Sequence, residues 1–295
     1  MKIAAYGELS LHISVVPAHE PTSAERQFLL RGLDMEVGGS PHYVAAQASA
    51  EGDSVLLVGT VAPDPAGRWV RDALTRWQPP AASIQLFDVG TRSTRLILAP
   101  DDSGDDIDIL ADPANGSVDV LAHRAALSDG ADYAHLSCFP GTERLRDALV
   151  DSGIPLIADF GFLPWRRDPA ALARAVAPQL MGVAVAVFNG SGAAKETVRL
   201  AREAVSSGVR VSLVTFGKDG ALVCDARTTH HLPARGVRVV NPVGAGDTLT
   251  TAFVHAWHHG ASPDEALDHG QAAAARHVSR RPAGGGAGVR TGSAG

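Results

Sequence analysis

Residues 241–253 read NPVGAGDTLTTAF. Gly244 and Gly246 allow backbone conformations closed to other residues, and Pro242 cannot sit in a helix interior. The loop therefore hands over to a helix whose first amides, those of Ala245, Gly246 and Asp247, point outward. A helix N-terminus of this kind holds an anion without any basic side chain. Asp247 stands beside it, where its charge would repel a phosphate that was merely bound. It makes sense as a base: it takes a proton from a hydroxyl while the amides neutralise charge on a phosphoryl group in transfer. The plain alternative is an N-capping aspartate after a glycine turn.

Such a loop needs a scaffold. Short apolar runs predict strands at 2–6, 54–60, 132–137, 154–159, 183–188, 209–215 and 220–224. Amphipathic segments predict helices at 41–51, 66–77, 142–152, 168–179, 193–207, 247–259 and 263–279. Strand followed by helix, repeated, argues for a mostly parallel sheet covered on both faces, and the lack of clean alternation fits strands buried on both sides. Two segments break the rhythm, about 9–37 and 91–112. The second reads as a hairpin, TRLILA and DIDILAD around the polar turn PDDSGD. Together they could form a small sheet standing off the main domain; a decorated edge of the main sheet is the alternative. We expect one domain over 1–282 and a disordered glycine-rich tail over 283–295.

The chain has 295 residues and a net charge of −6, so there is no general basic field for nucleic acid or anionic lipid. Its two cysteines, Cys138 and Cys224, are far apart and in no metal-ligand spacing. No signal-peptide pattern or membrane-length apolar run is seen, and a cytoplasmic protein with no membrane partner is expected. Around His255, His258, His259, His269 and His277 no aspartate, glutamate or cysteine completes a metal site locally, and they read as surface or groove residues. Arg95, in the hairpin, either meets an anionic acceptor or pairs with the acidic turn.

NPVGAGDTLTTAF closely resembles the C-terminal signature of the ribokinase-like, PfkB-type carbohydrate kinases. EVGGSPHYVAAQASAEGDSVLLVGTVAPDPAG (36–67) is similar to that family's N-terminal signature. LVTFGKDGALV (213–223) and GQAAAARHVSR (270–280) resemble its nucleotide-loop hairpin and its late helix. The resemblance covers nearly the whole chain. It implies a three-layer αβα sandwich with a mostly parallel central sheet and a small β-lid over the acceptor site, often a homodimer contact. It implies transfer of the γ-phosphoryl of ATP to a hydroxyl with Mg²⁺, chemistry that depends on positioning and charge stabilisation.

By the same resemblance Asp247 is the catalytic base and Gly244, Ala245 and Gly246 form the anion hole. Asn189, Thr215, Gly217, Gly220, Asn241 and Gln271 fall on the nucleotide and metal side, and backbone oxygens near Asn241 could hold a monovalent cation. His12, Gly38, Gly39, Tyr43, Arg95 and Asp159 fall on the acceptor side. There the chain departs from the pattern. His12 stands for a frequent aspartate, Tyr43 for an asparagine, and Ala62 for the second glycine of its loop. Gly161 falls where an asparagine is usual, and Gly192 replaces a glutamate that helps organise Mg²⁺. These changes point to an acceptor other than plain ribose: a sugar acid such as 2-keto-3-deoxygluconate, a modified sugar or a nucleoside. A ligand-binding module of weak catalysis on a kinase fold is the alternative.

Overall fold

The computed structural model describes residues 1–17, 29–77, 79, 81–89, 94–98, 107–110, 118–128, 130–161, 163 and 168–280. The expected tail at 283–295 and the turn PDDSGD lie outside the described residues. The strands are β1 (Lys2–Glu8), β2 (Ser10–Pro17), β3 (Leu30–Gly38), β4 (Ser54–Val61), β5 (Ala82–Asp88), β6 (Thr94–Leu98), β7 (Ile107–Leu110), β8 (Tyr133–Ser137), β9 (Leu156–Asp159), β10 (Val183–Asn189), β11 (Val211–Thr215), β12 (Ala221–Asp225) and β13 (Thr229–Leu232). The α-helices are α1 (Ser40–Ala50), α2 (Pro65–Arg76), α3 (Glu143–Asp151), α4 (Pro169–Val176), α5 (Ala194–Ser206), α6 (Ala245–His258) and α7 (Pro263–Val278).

Nine strands form the main sheet in the order β13-β12-β11-β10-β9-β8-β1-β4-β5. From β5 to β11 every pair is parallel; β12 and β13 add antiparallel at one edge. Central strands are apolar on both faces. In β1, Ala4 and Tyr6 face the core shared with α3, α4 and α5, whereas Ile3 and Ala5 face the core shared with α1, α2, α6 and α7. Burial on both sides is why these strands read as continuous apolar runs.

The segments that broke the βα rhythm make a separate four-stranded sheet, ordered β3-β2-β6-β7. β6 and β7 pair antiparallel, as the hairpin reading required, and β2 pairs parallel with β6. Three elements were absent from the sequence reading. β5 and β13 are edge strands without a fully buried face, and Val118–Ser128 is a 3₁₀ segment, so none carries a strong apolar period.

Candidate active site

In an open parallel sheet, ligands bind at the carboxyl ends of the strands. Here those ends carry Asp159 on β9, Asn189 on β10 and Thr215 on β11, with Asn189 and Thr215 in register. The start of α6 is brought to the same edge. Gly244 caps that helix at φ 80°, a left-handed conformation that suits glycine. Gly246 is exposed in the first turn, and a side chain added there would meet nothing within 4 Å. The helix therefore opens onto free space. One of the three expected amides is corrected: the Ala245 N–H donates to the Pro242 carbonyl at 3.1 Å, closing the turn rather than facing out.

Asp247 is buried just behind that opening. The Ser40 hydroxyl, on the first turn of α1, donates to its Oδ1. Gly39 makes this approach possible. It sits at φ 101° and ψ 139°, and a Cβ there would lie 2.1 Å from the Glu8 carbonyl oxygen. Gly39→Ala is therefore expected to destabilise the protein by about 3–5 kcal/mol, from left-handed strain plus overpacking. Denaturant unfolding measures this; a loss below about 1 kcal/mol would contradict the tight contact.

Two further polar groups meet Asp247 from the sheet. Ligand atoms of His135, Asp159 and Asp247 all lie within 4.8 Å of one another, and all three side chains are buried. The Asp159 carboxylate accepts the Gly161 N–H at 2.6 Å. Burial pushes its carboxyl up to about 6, against the opposing pull of that hydrogen bond. Burial holds the His135 imidazole down to about 4, so the ring is neutral. Neither Ser40 nor His135 figured among the expected site residues. The only signal for His135 was one polar residue inside the apolar run YAHLS.

On the nucleotide side, Gly217 and Gly220 take φ 58° and 101° in the turn after β11. A Cβ on Gly220 would lie 2.0 Å from the Leu232 carbonyl oxygen. Gln271 is buried and donates to that same carbonyl at 3.1 Å, so it braces β13 behind the turn. The Asn189 side-chain oxygen accepts the Ser191 N–H at 2.9 Å, and Gly192 sits at φ 76°. That loop turns on a glycine where the family pattern has glutamate. The carbonyls of Pro242 and Val243 already accept hydrogen bonds, from the Ala245 N–H and from His277 Nε2 at 2.6 Å, so the loop near Asn241 is closed on itself.

On the acceptor side the expected residues are packed against each other. Tyr43 Oη lies 3.2 Å from His12 Nδ1 and 3.4 Å from Glu36 Oε1, and Asn241 Nδ2 donates to Glu36 at 2.9 Å. A Cβ on Gly38 would run into the His12 ring, and one on Gly244 into the Tyr43 ring. His12 and Tyr43, expected to face the acceptor, are thus buried as a plug that joins the small sheet to the α6 loop. Burial raises the Glu36 carboxyl above its usual range, its hydrogen bonds opposing. Arg95 lies on β6 in register with His12.

His42, beside this plug, is half-buried, and its Nδ1 has no hydrogen-bond partner among the described residues. Burial, with His277 nearby, holds its pKa down to about 4. A histidine with a depressed folded pKa contributes stability above its unfolded value and loses it as pH falls. The expected loss between pH 6.5 and 4 is up to about 3 kcal/mol from this group. His42→Phe keeps the edge contacts to Tyr43 and Trp77 and should flatten the acid limb of a pH–stability curve. An unchanged limb would contradict the assignment.

Two further histidines are paired with carboxylates that their local sequence did not reveal, whereas His259 and His277 bond backbone carbonyls. His255 lies 2.8 Å from Asp53 and His269 3.0 Å from Glu51, both acids coming from the far end of α1.

A helix that starts in open space above a buried aspartate, at the carboxyl edge of a parallel sheet with a small second sheet alongside, defines a ribokinase-like fold. Residues 179–287 match the model of the pfkB family carbohydrate kinases. A putative ribokinase II from Escherichia coli, solved in complex with ATP and Mg²⁺, superposes with a TM-score of 0.71 at 18% identity, covering 95% of this chain and 93% of that one. Over this region the chain is similar to the pfkB family carbohydrate kinases, and its fold is that of the ribokinase-like structures. The bifunctional protein HldE of Caulobacter sp. (strain K31) is 28% identical over 289 residues, which is 90% of this chain and 56% of that protein. The chain thus spans little more than half of that relative. The 2-dehydro-3-deoxygalactonokinase of Haloferax volcanii is 24% identical over 296 residues, 93% of this chain and 90% of that enzyme.

Proposed function

We propose that the protein transfers the γ-phosphoryl group of ATP to a hydroxyl of a small sugar or sugar-derived acceptor. The observation that carries this is the pairing of buried Asp247 with the open helix start at Gly246. Asp247 takes the acceptor's hydroxyl proton, the acceptor oxygen attacks the γ-phosphorus, and ADP leaves. Ser40 holds the carboxylate in place through its hydroxyl. The α6 dipole and first-turn amides stabilise charge on the phosphoryl oxygens. Thr215, Gly217 and Gly220 offer backbone to the nucleotide; Gly217 and Gly220 sit at positive φ, and at Gly220 a side chain has no room. Mg²⁺ bound with ATP would supply neutralising charge on the phosphates. The Asn189–Gly192 loop presents a neutral oxygen and no carboxylate, which suits a metal that arrives on the nucleotide.

The acceptor we favour is a sugar acid of the 2-keto-3-deoxygluconate kind rather than plain ribose. The plug of His12, Tyr43 and Glu36 supports a changed acceptor pocket, and a relative matched over its near-full length is named for a 2-dehydro-3-deoxy sugar acid. An acceptor panel of ribose, sugar acids, modified sugars and nucleosides, followed by ADP release, tests it; ribose as best acceptor overturns the preference. Gly192 at φ 76° favours a second reading, a binding module of weak catalysis. Tight ligand binding with no ADP would select it. We also propose a cytoplasmic homodimer through the small sheet: β3 is an edge strand with Leu29, Leu30 and Leu33 exposed at or beside it. Light scattering of Leu33→Asp should then report monomer.

A further inference from the structure

His135 lies in the interior of β8, fully buried, and neither ring nitrogen has a hydrogen-bond partner among the described residues. A buried imidazole nitrogen left unsatisfied is destabilising. The ring is next to two carboxylates, Asp159 and Asp247, and no ion pair of Asp159 is found among the described residues. One nitrogen and two carboxylate oxygens therefore converge from three elements, β8, β9 and α6, onto one buried point. Ser40 and the Gly161 N–H each donate to one carboxylate, and the His135 ring nitrogens have no protein partner among the described residues. A dication would take one of those nitrogens and one oxygen from each carboxylate.

We propose that His135, Asp159 and Asp247 form a binding site for one first-row transition dication, such as Mn²⁺, that fills without nucleotide. Metal–ligand bonds of about 2.0–2.2 Å bring ligand atoms to about 3–4 Å from each other. The present spacing, within 4.8 Å, closes to that range by small side-chain rotations. Imidazole in the ligand set selects Mn²⁺ or Zn²⁺ over Mg²⁺, which takes oxygens and keeps its water. Three protein ligands leave positions open for water or for an oxygen of the acceptor. Asp247 keeps its bond from Ser40, because a carboxylate has lone pairs for both. The site is separate from the metal that would travel on ATP, although it shares Asp247 with the proposed reaction.

The test uses chelator-stripped protein with no ATP and no acceptor, titrated with Mn²⁺ while free Mn²⁺ is followed by electron paramagnetic resonance. One site per chain is expected. His135→Leu and Asp159→Asn should each weaken it at least about tenfold. His255→Gln, in the separate histidine cluster, should leave it unchanged, and Mg²⁺ should displace Mn²⁺ only at more than about tenfold excess. If His135→Leu loses its cooperative unfolding transition, Asp159→Asn carries the reading. Absence of a stoichiometric site in the wild type, equal affinity in Asp159→Asn, or loss of the site in His255→Gln would overturn the proposal. Failure here leaves the kinase reading intact, since neither substrate enters the measurement; a protein that binds Mn²⁺ and never forms ADP fails the kinase reading alone.

Discussion

Replacing Asp247 with asparagine is expected to lower turnover by about 10²–10⁴ while the fold and ATP affinity stay close to wild type. The change barely alters size. Asparagine keeps a side-chain oxygen that can accept the Ser40 hydroxyl, so α1 and α6 remain joined at their first turns. What is lost is the capacity to take a proton. Gly244, not Asp247, caps α6, so the N-capping reading does not hold; if Asp247 served only to anchor Ser40, asparagine would do as well. The variant thus separates two roles of the carboxylate: turnover within about threefold of wild type would leave a purely structural anchor for Ser40 and remove the base. Ser40→Ala should give a smaller loss, since it leaves the base present and only unties it.

Gly246→Leu is expected to abolish ATP turnover, a loss of more than about 10², without destabilising the protein. Gly246 is exposed in the first turn of α6 with open space where a side chain would project. Its φ is not in the left-handed region, so leucine fits the helix there, and helix propensity favours it by up to about 1 kcal/mol. The same volume would occupy the space in front of the helix start, where the phosphoryl group must sit. Thermal unfolding and steady-state turnover, measured side by side, check it. Normal turnover with leucine in place would mean that phosphate does not approach this helix. A large fall in stability would mean that the space is not open.

The fold was legible because buried parallel strands and amphipathic helices leave strong local signals. The central strands of the main sheet and the seven α-helices among the described residues follow from apolar runs and periods in the chain. Edge strands β5 and β13 were not, since half-exposed strands carry no such run. The candidate site divides the same way. The GAGD loop is contiguous, so its geometry could be argued from four residues, although the Ala245 amide turned inward to Pro242. Ser40 and His135 reach Asp247 across 207 and 112 positions of chain, and nothing in their local sequence marks the meeting. His12 and Tyr43 were visible as unusual residues. Their mutual burial with Glu36 was not, because it depends on how the small sheet folds down on α1. The same limit applies to His255 and His269, whose partners Asp53 and Glu51 lie just after α1, 202 and 218 positions earlier in the chain.

The central claim is phosphoryl transfer from ATP to a sugar-type hydroxyl at Asp247. The most direct measurement is ³¹P nuclear magnetic resonance of the protein incubated with ATP, Mg²⁺ and each acceptor of the panel, run in parallel for wild type and Asp247→Asn. The account predicts a new phosphomonoester resonance that grows in step with ADP, with one acceptor class favoured, and that is nearly absent in Asp247→Asn. ADP formed without a phosphorylated acceptor, or the same phosphomonoester formed equally fast by Asp247→Asn, would contradict it.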